Sequence, residues 1–413
     1  MKILFAVHGY KPAYRVGGPI VSVSAVAEGM VRRGHEVTVF TSNANLDEEL
    51  DVPTERPVDV EGVQVWYFRR REYLQTLLPF VPYLSKSMGF LYAPLMRAEL
   101  DRLVPQVDLV HTHMPYVYPS LAAGRAALRH RKPLFYHQRG VFDPERLKFR
   151  GLKKRIFIAA LERPLMQRAA TLIALTEAER ESYRALGVET PCRIIPNGID
   201  VGEYRTAPLA DMNARWGLPA DAFVILFLSR VHPTKGADKL LDAFTRLSDI
   251  HPHAYLVLAG PDEFGLEASF RERARAGGLA HRIIFPGMVQ GDEKRDLLAR
   301  ADLFCLPSDA EGFSMAVLEA LASGTGAVLS PGCHFPGVET EGAGRVVAAE
   351  PIALAAVLGQ LISAPETVRE MGIRARQLVA RDYTWGRITD ALIETYHEGI
   401  ARAQSVRGGS GVA

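Results

Sequence analysis

The chain has 413 residues, 48% of them hydrophobic, and a formal net charge of +2. That length exceeds one ordinary core and predicts two domains, while the ordinary apolar content and balanced charge exclude a disordered chain and carry no signature of nucleic-acid binding. Three widely spaced cysteines, Cys192, Cys305 and Cys333, form no metal or disulfide motif and fit a reduced, cytoplasmic protein.

The opening apolar run over residues 3–7 is closed by His8-Gly9, so it reads as a buried strand and not as a signal peptide. A helix follows over 19–33, then strands over 36–41 and 63–68. The apolar stretch 77–95 is broken by Pro79, Pro82, Lys86 and Pro94, which argues against a transmembrane helix. A helix over 92–103 leads to strands over 109–111, 134–137 and 171–175. After the turn-rich Pro196-Asn-Gly-Ile-Asp200, strands over 223–228, 255–259, 283–285, 303–306, 327–329 and 345–347 alternate with helices. Two consecutive βα series predict two doubly wound parallel sheets, with ligands outside the carboxyl ends of the strands. The tail 406–413, rich in Gly, is expected to be disordered.

Several loops at those strand ends carry chemistry. In Asp309-Ala-Glu-Gly-Phe-Ser-Met-Ala-Val-Leu-Glu319, Ser314 is a suitable N-cap for a helix that Gly324 ends. Glu311 then lies in the loop ahead of the helix, and Glu319 lies roughly 7 Å along it. The helix N-terminus between them suits an anion, so the layout can hold a ligand with a central phosphate and hydroxyls at both ends. Arg230 and Lys235 flank the turn after the strand 223–228 and suit a diphosphate, the first as a fork and the second as a point charge. Backbone groups at Gly287, Met288 and Val289 can read the edge of a base. Gly17 and Gly18, before Pro19, allow close approach to a ligand but do not complete a dinucleotide fingerprint. His111 and His113 are read as pointing to opposite faces, one packed and His113 toward the cleft, with no third metal ligand in view. Arg139 follows the next strand and faces the same way. No Asp-x-Asp occurs, so cations and the helix N-terminus, not a metal, are expected to stabilise a leaving diphosphate. Residues 146–155 are basic and free of acids, and read either as a solvated helix face or as a contact for anionic membrane lipid, to which Arg69, Arg70 and Arg71 add.

Taken together these motifs resemble the retaining glycosyltransferases of the GT-B fold, in particular glycosyltransferase family 4. The resemblance spans nearly the whole chain. Its specific part is Glu311-x7-Glu319 with the upstream Arg230-x4-Lys235, and Thr176-Glu-Ala-Glu179 and Tyr383-Thr-Trp385 add to it. It implies two Rossmann-like domains facing across a cleft: 1–195 on the acceptor side, with 385–405 crossing back onto it, and 196–384 binding the nucleotide-sugar. It implies that Glu319 binds the ribose hydroxyls and Glu311 the donor sugar. The amides of Phe313, Ser314 and Met315 would contact sugar and phosphate, Arg230 and Lys235 the diphosphate, and Gly18 the phosphate from the opposite domain, with His113 near the reaction centre. Ser314 stands where the family often has Gly, Gly326 where Pro is common, Ser229 where Gly is frequent, and Arg139 where related sequences often carry His. The implied activity is metal-independent transfer of a sugar, from a UDP- or GDP-sugar, to a hydroxyl of a glycan or lipid-linked glycan, in cell-surface polysaccharide or glycoconjugate biosynthesis. The nucleotide-sugar is a substrate, and no cofactor is expected. The expected location is the cytoplasm, with peripheral contact on the membrane's inner face. A nucleotide-sugar 2-epimerase of the same architecture and a non-catalytic member are the rival readings, with sucrose- or glycogen-type synthases a third.

Overall fold

The structure is a computed structural model that describes residues 1–16, 18–46, 48–70, 91–142 and 151–409. The chain divides into two compact units, Met1–Asn197 with Trp385–Ala413, and Gly198–Thr384.

The first unit is built on β1 (Lys2–Ala6), β2 (Glu36–Ser42), the short antiparallel pair β3 (Ala44–Asn45) and β4 (Glu48–Glu49), β5 (Pro57–Val60), β6 (Val63–Phe68), β7 (Leu109–His113), β8 (Leu134–His137), β9 (Thr171–Ala174) and β10 (Cys192–Ile194). Eight of these form one sheet in the order β10-β9-β8-β7-β1-β2-β6-β5, parallel except for the β5–β6 edge. The strand period of two sends alternate residues of β1 into two cores. Leu4 and Ala6 join one cluster; Ile3 and Phe5 join the other. The second cluster is completed from the far end of the chain by Ile388, Leu392 and Tyr396. Their spacing of four is one stripe of the last helix, Trp385–Gly409, which is why that helix belongs to the first unit. The helix includes residues 406–409 of the segment expected as a disordered tail, because a helix already anchored by packing propagates at little cost.

The second unit is β11 (Phe223–Leu228), β12 (Ala254–Ala259), β13 (Ile283–Gly287), β14 (Leu303–Leu306), β15 (Gly326–Leu329) and β16 (Gly344–Val346), all parallel, in the order β13-β12-β11-β14-β15-β16. The strand order reverses between β11 and β14, and in such a sheet that switch point opens a crevice at the carboxyl ends. In the first unit the equivalent reversal lies between β1 and β7. Every residue of β11 and β14 is buried, as a parallel sheet covered on both faces requires. The three cysteines are free thiols, and burial pushes that of Cys333 up to about 11. Among the described residues no single helix is long and apolar enough to cross a membrane; residues 77–90 of the apolar stretch 77–95, and Arg71, lie outside them.

Candidate functional site

In the second unit the residues singled out from the sequence lie at the carboxyl ends of the strands, with Lys235 and Glu311 meeting at the switch point. The loop leaving β11 makes a 3-10 turn, Pro233–Lys235, capped by the His232 side chain, which accepts from the Thr234 amide. The turn is followed by Gly236 at φ +74°, where a Cβ would lie 2.1 Å from the Pro307 carbonyl oxygen. Only glycine lets the loops after β11 and β14 approach so closely. The contact is reinforced by the Asp309 amide and the Ser308 hydroxyl, which both donate to the Thr234 carbonyl.

This juxtaposition brings Lys235 to Glu311: Nζ donates to Oε1 at 2.6 Å, with both side chains nearly buried. Glu311 lies in the loop after β14, where its own amide donates to the Gly332 carbonyl. The helix Met315–Ala322 then starts from Ser314, at the N-cap position but without a side-chain cap bond, and Glu319 sits on it. Glu319 also has a lysine. Lys294, from the helix Gly291–Arg300, donates to its Oε1 at 2.8 Å, and the Tyr204 hydroxyl bonds to it as well. Burial first, and Glu319 second, raise the Tyr204 phenol far above its ordinary value. Each of the two acids is thus held by a cation from a different element, with the helix N-terminus between them.

Arg230 is half exposed, and its Nη1 donates to both carboxylate oxygens of Glu263, at 3.1 and 2.9 Å. Phe313 stacks on Tyr383, ring centroids 5.9 Å apart, and on Phe335, which holds the loop before the helix. Gly287 is left-handed at φ +72°, its carbonyl accepts from the Gly260 amide, and the exposed Met288 and buried Val289 follow. Lys294, Tyr204 and Glu263 were not singled out from sequence; each comes from another element, so no spacing could have signalled them. A cavity of about 710 Å³ lies at the opposite, amino-terminal edge of β14 and β15, lined by Arg300, Gly324, Arg369 and Arg376. It touches none of the residues above, and Arg376 is spent on the carbonyls of Tyr204 and Ala322.

In the first unit, Gly18 opens the helix Gly18–Val31, and Gly17 lies outside the described residues. The expectation that His111 and His113 face opposite ways is overturned. Strand β7 runs on to His113, and residues i and i+2 of a strand share a face. The two rings lie 3.9 Å apart between centroids. Register pairs His113 with His137 on β8, so a third imidazole joins them, and ligand nitrogens of the three lie within 4.8 Å of one another. All three are buried, and His113 has no exposure, so it presents no open face to a cleft. Phe5 packs edge-on against both rings of β7, and the Tyr396 hydroxyl meets His111 Nδ1 at 2.6 Å. Burial drives the pKa of each of the three well below the ordinary imidazole value, with Arg139 adding to it, and brings that of His8 to about 4.

Arg139 is the half-buried group at this end of the sheet. Its backbone is left-handed at φ +51°, a conformation that costs a residue with a side chain roughly 1–2 kcal/mol. Its Nε donates to His113 Nδ1 at 3.2 Å, and its Nη1 donates to Ser22 Oγ at 2.8 Å and Asn197 Oδ1 at 3.2 Å. Burial lowers its pKa to about 10. Of the basic segment 146–155, residues 146–150 lie outside the described ones; the rest begins the helix Gly151–Phe157, whose Leu152 and Ile156 are exposed.

Residues 16–203 match the family model of Glycosyltransferase Family 4, and residues 210–378 match that of Glycosyl transferases group 1. The chain belongs to this glycosyltransferase family. It is 29% identical over 417 residues to a D-inositol 3-phosphate glycosyltransferase of Kineococcus radiotolerans, covering 95% of this chain and 93% of the relative. The solved structures of Anabaena HepE in complex with UDP and with UDP-glucose superpose with TM-scores of 0.73 and 0.71, at 22% identity, over 96% of this chain and 99% of theirs. The two parallel-sheet units are those of the GT-B fold.

Proposed function

We propose that the protein transfers a sugar, with retention of configuration, from a nucleotide-sugar to a hydroxyl of a glycan or lipid-linked glycan. The observation that carries this is the pair of carboxylates at the β11–β14 switch point, Glu311 on Lys235 and Glu319 on Lys294, one on each side of a helix N-terminus. In this reading Glu319 takes the ribose hydroxyls and Glu311 the donor sugar. The amides of Phe313, Ser314 and Met315 contact sugar and phosphate, while the loop Gly287, Met288 and Val289 reads the base. Lys235 and Arg230 hold the diphosphate, with Arg230 exchanging Glu263 for it, and Gly17 and Gly18 supply a close backbone approach. The anomeric C–O bond to the leaving phosphate breaks as the acceptor oxygen bonds to the same carbon and face. The leaving phosphate takes the acceptor's proton. Lys235, Arg230 and the helix N-terminus stabilise the leaving charge, which is the work a bridging metal does elsewhere. His113, being fully buried, acts by holding Arg139 through Nδ1 and does not touch the sugar.

Uridine is the base favoured here, since the HepE structures contain UDP and UDP-glucose. A thermal-shift panel of UDP-, GDP-, ADP- and dTDP-sugars, each with and without EDTA, tests the donor site, because a ligand of the folded state raises the melting temperature. A shift with one base that EDTA leaves intact is expected; no shift at millimolar ligand refutes the donor site, and a shift that EDTA abolishes refutes the metal-free reading. Contact with an anionic membrane surface through Leu152 and Ile156, beside Lys154 and Arg155, belongs to the same proposal. It predicts pelleting with anionic vesicles that the double substitution L152E/I156E abolishes, and pelleting that survives the substitution rules it out.

A further inference from the structure

Arg139 has no direct ion pair among the described residues. Its three hydrogen bonds go to a neutral imidazole, a hydroxyl and a side-chain amide, and its Nη2 has no partner among the described residues. No carboxylate of the described residues lies within ion-pairing distance of it. The acid that acts on it electrostatically, Glu179, instead accepts from the Leu175 amide through Oε2. Around it stand His8, His111, His113 and His137, all buried and held neutral, so none of them supplies negative charge. A desolvated guanidinium without a counter-ion is costly, and its planar fork matches carboxylate and phosphate oxygens. Its left-handed backbone, continued by Gly140 at φ +75°, holds it at the carboxyl end of β8, on the ligand-binding edge of the sheet.

We infer that Arg139 seats an anionic group of the acceptor, a carboxylate or a phosphate. This rests on the glycosyl-transfer reading above. The donor's diphosphate already has Arg230 and Lys235 in the other unit, so the unpartnered Nη2 of Arg139 is left for the second substrate. The three clustered imidazoles do not argue for a divalent cation instead. Arg139 donates to His113 Nδ1, which puts that ring's proton on Nε2 and takes away its lone pair there. A dication would also sit beside the Arg139 guanidinium, with no carboxylate of the described residues paired to that guanidinium.

The test is a set of melting curves of the full chain at constant ionic strength, titrated with inorganic phosphate, glucuronate or glucose, with and without saturating UDP. Wild type, R139Q, R139K and K235A are compared, so that the general stabilisation by excluded anions cancels. Phosphate or glucuronate, but not glucose, is expected to raise the melting temperature of UDP-loaded wild type and of K235A. R139Q should need roughly tenfold more anion or higher for the same shift, as loss of charge-assisted bonds implies, and R139K should recover part of it. The stronger of the two anions identifies the acceptor's group. Equal responses in wild type and R139Q, an anion response that UDP abolishes, or stabilisation by zinc that H137A removes would each overturn the inference. A lack of response to UDP would count against the donor reading alone, since the anion titration of K235A still reports on Arg139.

Discussion

Acidification should loosen the first unit through its buried histidines, and His8 gives the size of the effect. Its folded pKa is lowered from 6.5 to about 4, mainly by burial. Above pH 6.5 neither the folded nor the unfolded chain protonates it, and it contributes nothing to the balance. As pH falls below 6.5 the unfolded chain takes the proton first, so stability is lost until the folded pKa near 4 is reached, where the loss levels off. At pH 5 the linkage relation puts the loss at about 2 kcal/mol for this one residue. His111, His113 and His137 are shifted the same way. Burial disfavours their charged forms as well, so each adds a loss of the same sign as the pH falls. Glu28 and Glu162 have raised pKa values, mainly through burial, and act in the opposite direction, so the absolute curve mixes both signs. The clean measurement is urea unfolding of wild type and H8N at pH 7 and pH 5. The loss between the two pH values should be smaller in H8N by about 2 kcal/mol. Parallel losses in the two proteins would refute a neutral, buried His8.

Two further outcomes follow from the second unit. E319A should weaken binding of UDP, read by titration calorimetry, by roughly 1–3 kcal/mol, the cost of ligand hydroxyls left unpaired; unchanged affinity in a protein that melts normally would remove Glu319 from the ribose. G236A places a Cβ 2.1 Å from the Pro307 carbonyl oxygen on a left-handed backbone. It should lower stability in a melting experiment by roughly 1–3 kcal/mol or more, and a melting temperature equal to wild type would mean that the two loops do not pack as described.

Much of the architecture was legible because buried parallel strands announce themselves as short apolar runs. The runs at Val63–Phe68, Leu134–His137, Phe223–Leu228 and Leu303–Leu306 have the bounds expected of them. The strands that escaped notice are edges. β10 is Cys192–Ile194, three residues of which two are exposed, and β5 starts with Pro57 on an antiparallel margin. An edge strand buries little, so its sequence need not be apolar, and it tolerates proline where no ladder bond is lost.

The candidate site divides along a similar line. Glu311, the N-cap position of Ser314 and Glu319 lie on one continuous segment, and helix geometry alone orders them along a ligand. Arg230-x4-Lys235 is equally local. The partners of those groups are not: Lys294 and Tyr204 on Glu319 and Glu263 on Arg230 arrive from other elements, and Lys235 meets Glu311 because the sheet sets β11 beside β14. The histidines show the same limit. A strand's period of two already places His111 and His113 on one face, but His137 reaches them through the β7–β8 register, and Tyr396 arrives on a helix 285 residues further along the chain from His111. Local chain geometry is set by short-range sterics and hydrogen bonding, so the sequence alone determined the strands, the helix that carries Glu319, and the spacing of the acids. Which charges pair, and which, like that of Arg139, have no ion pair among the described residues, was decided only when the sheet order brought distant side chains together, because electrostatic pairing depends on distance in space and not on separation along the chain.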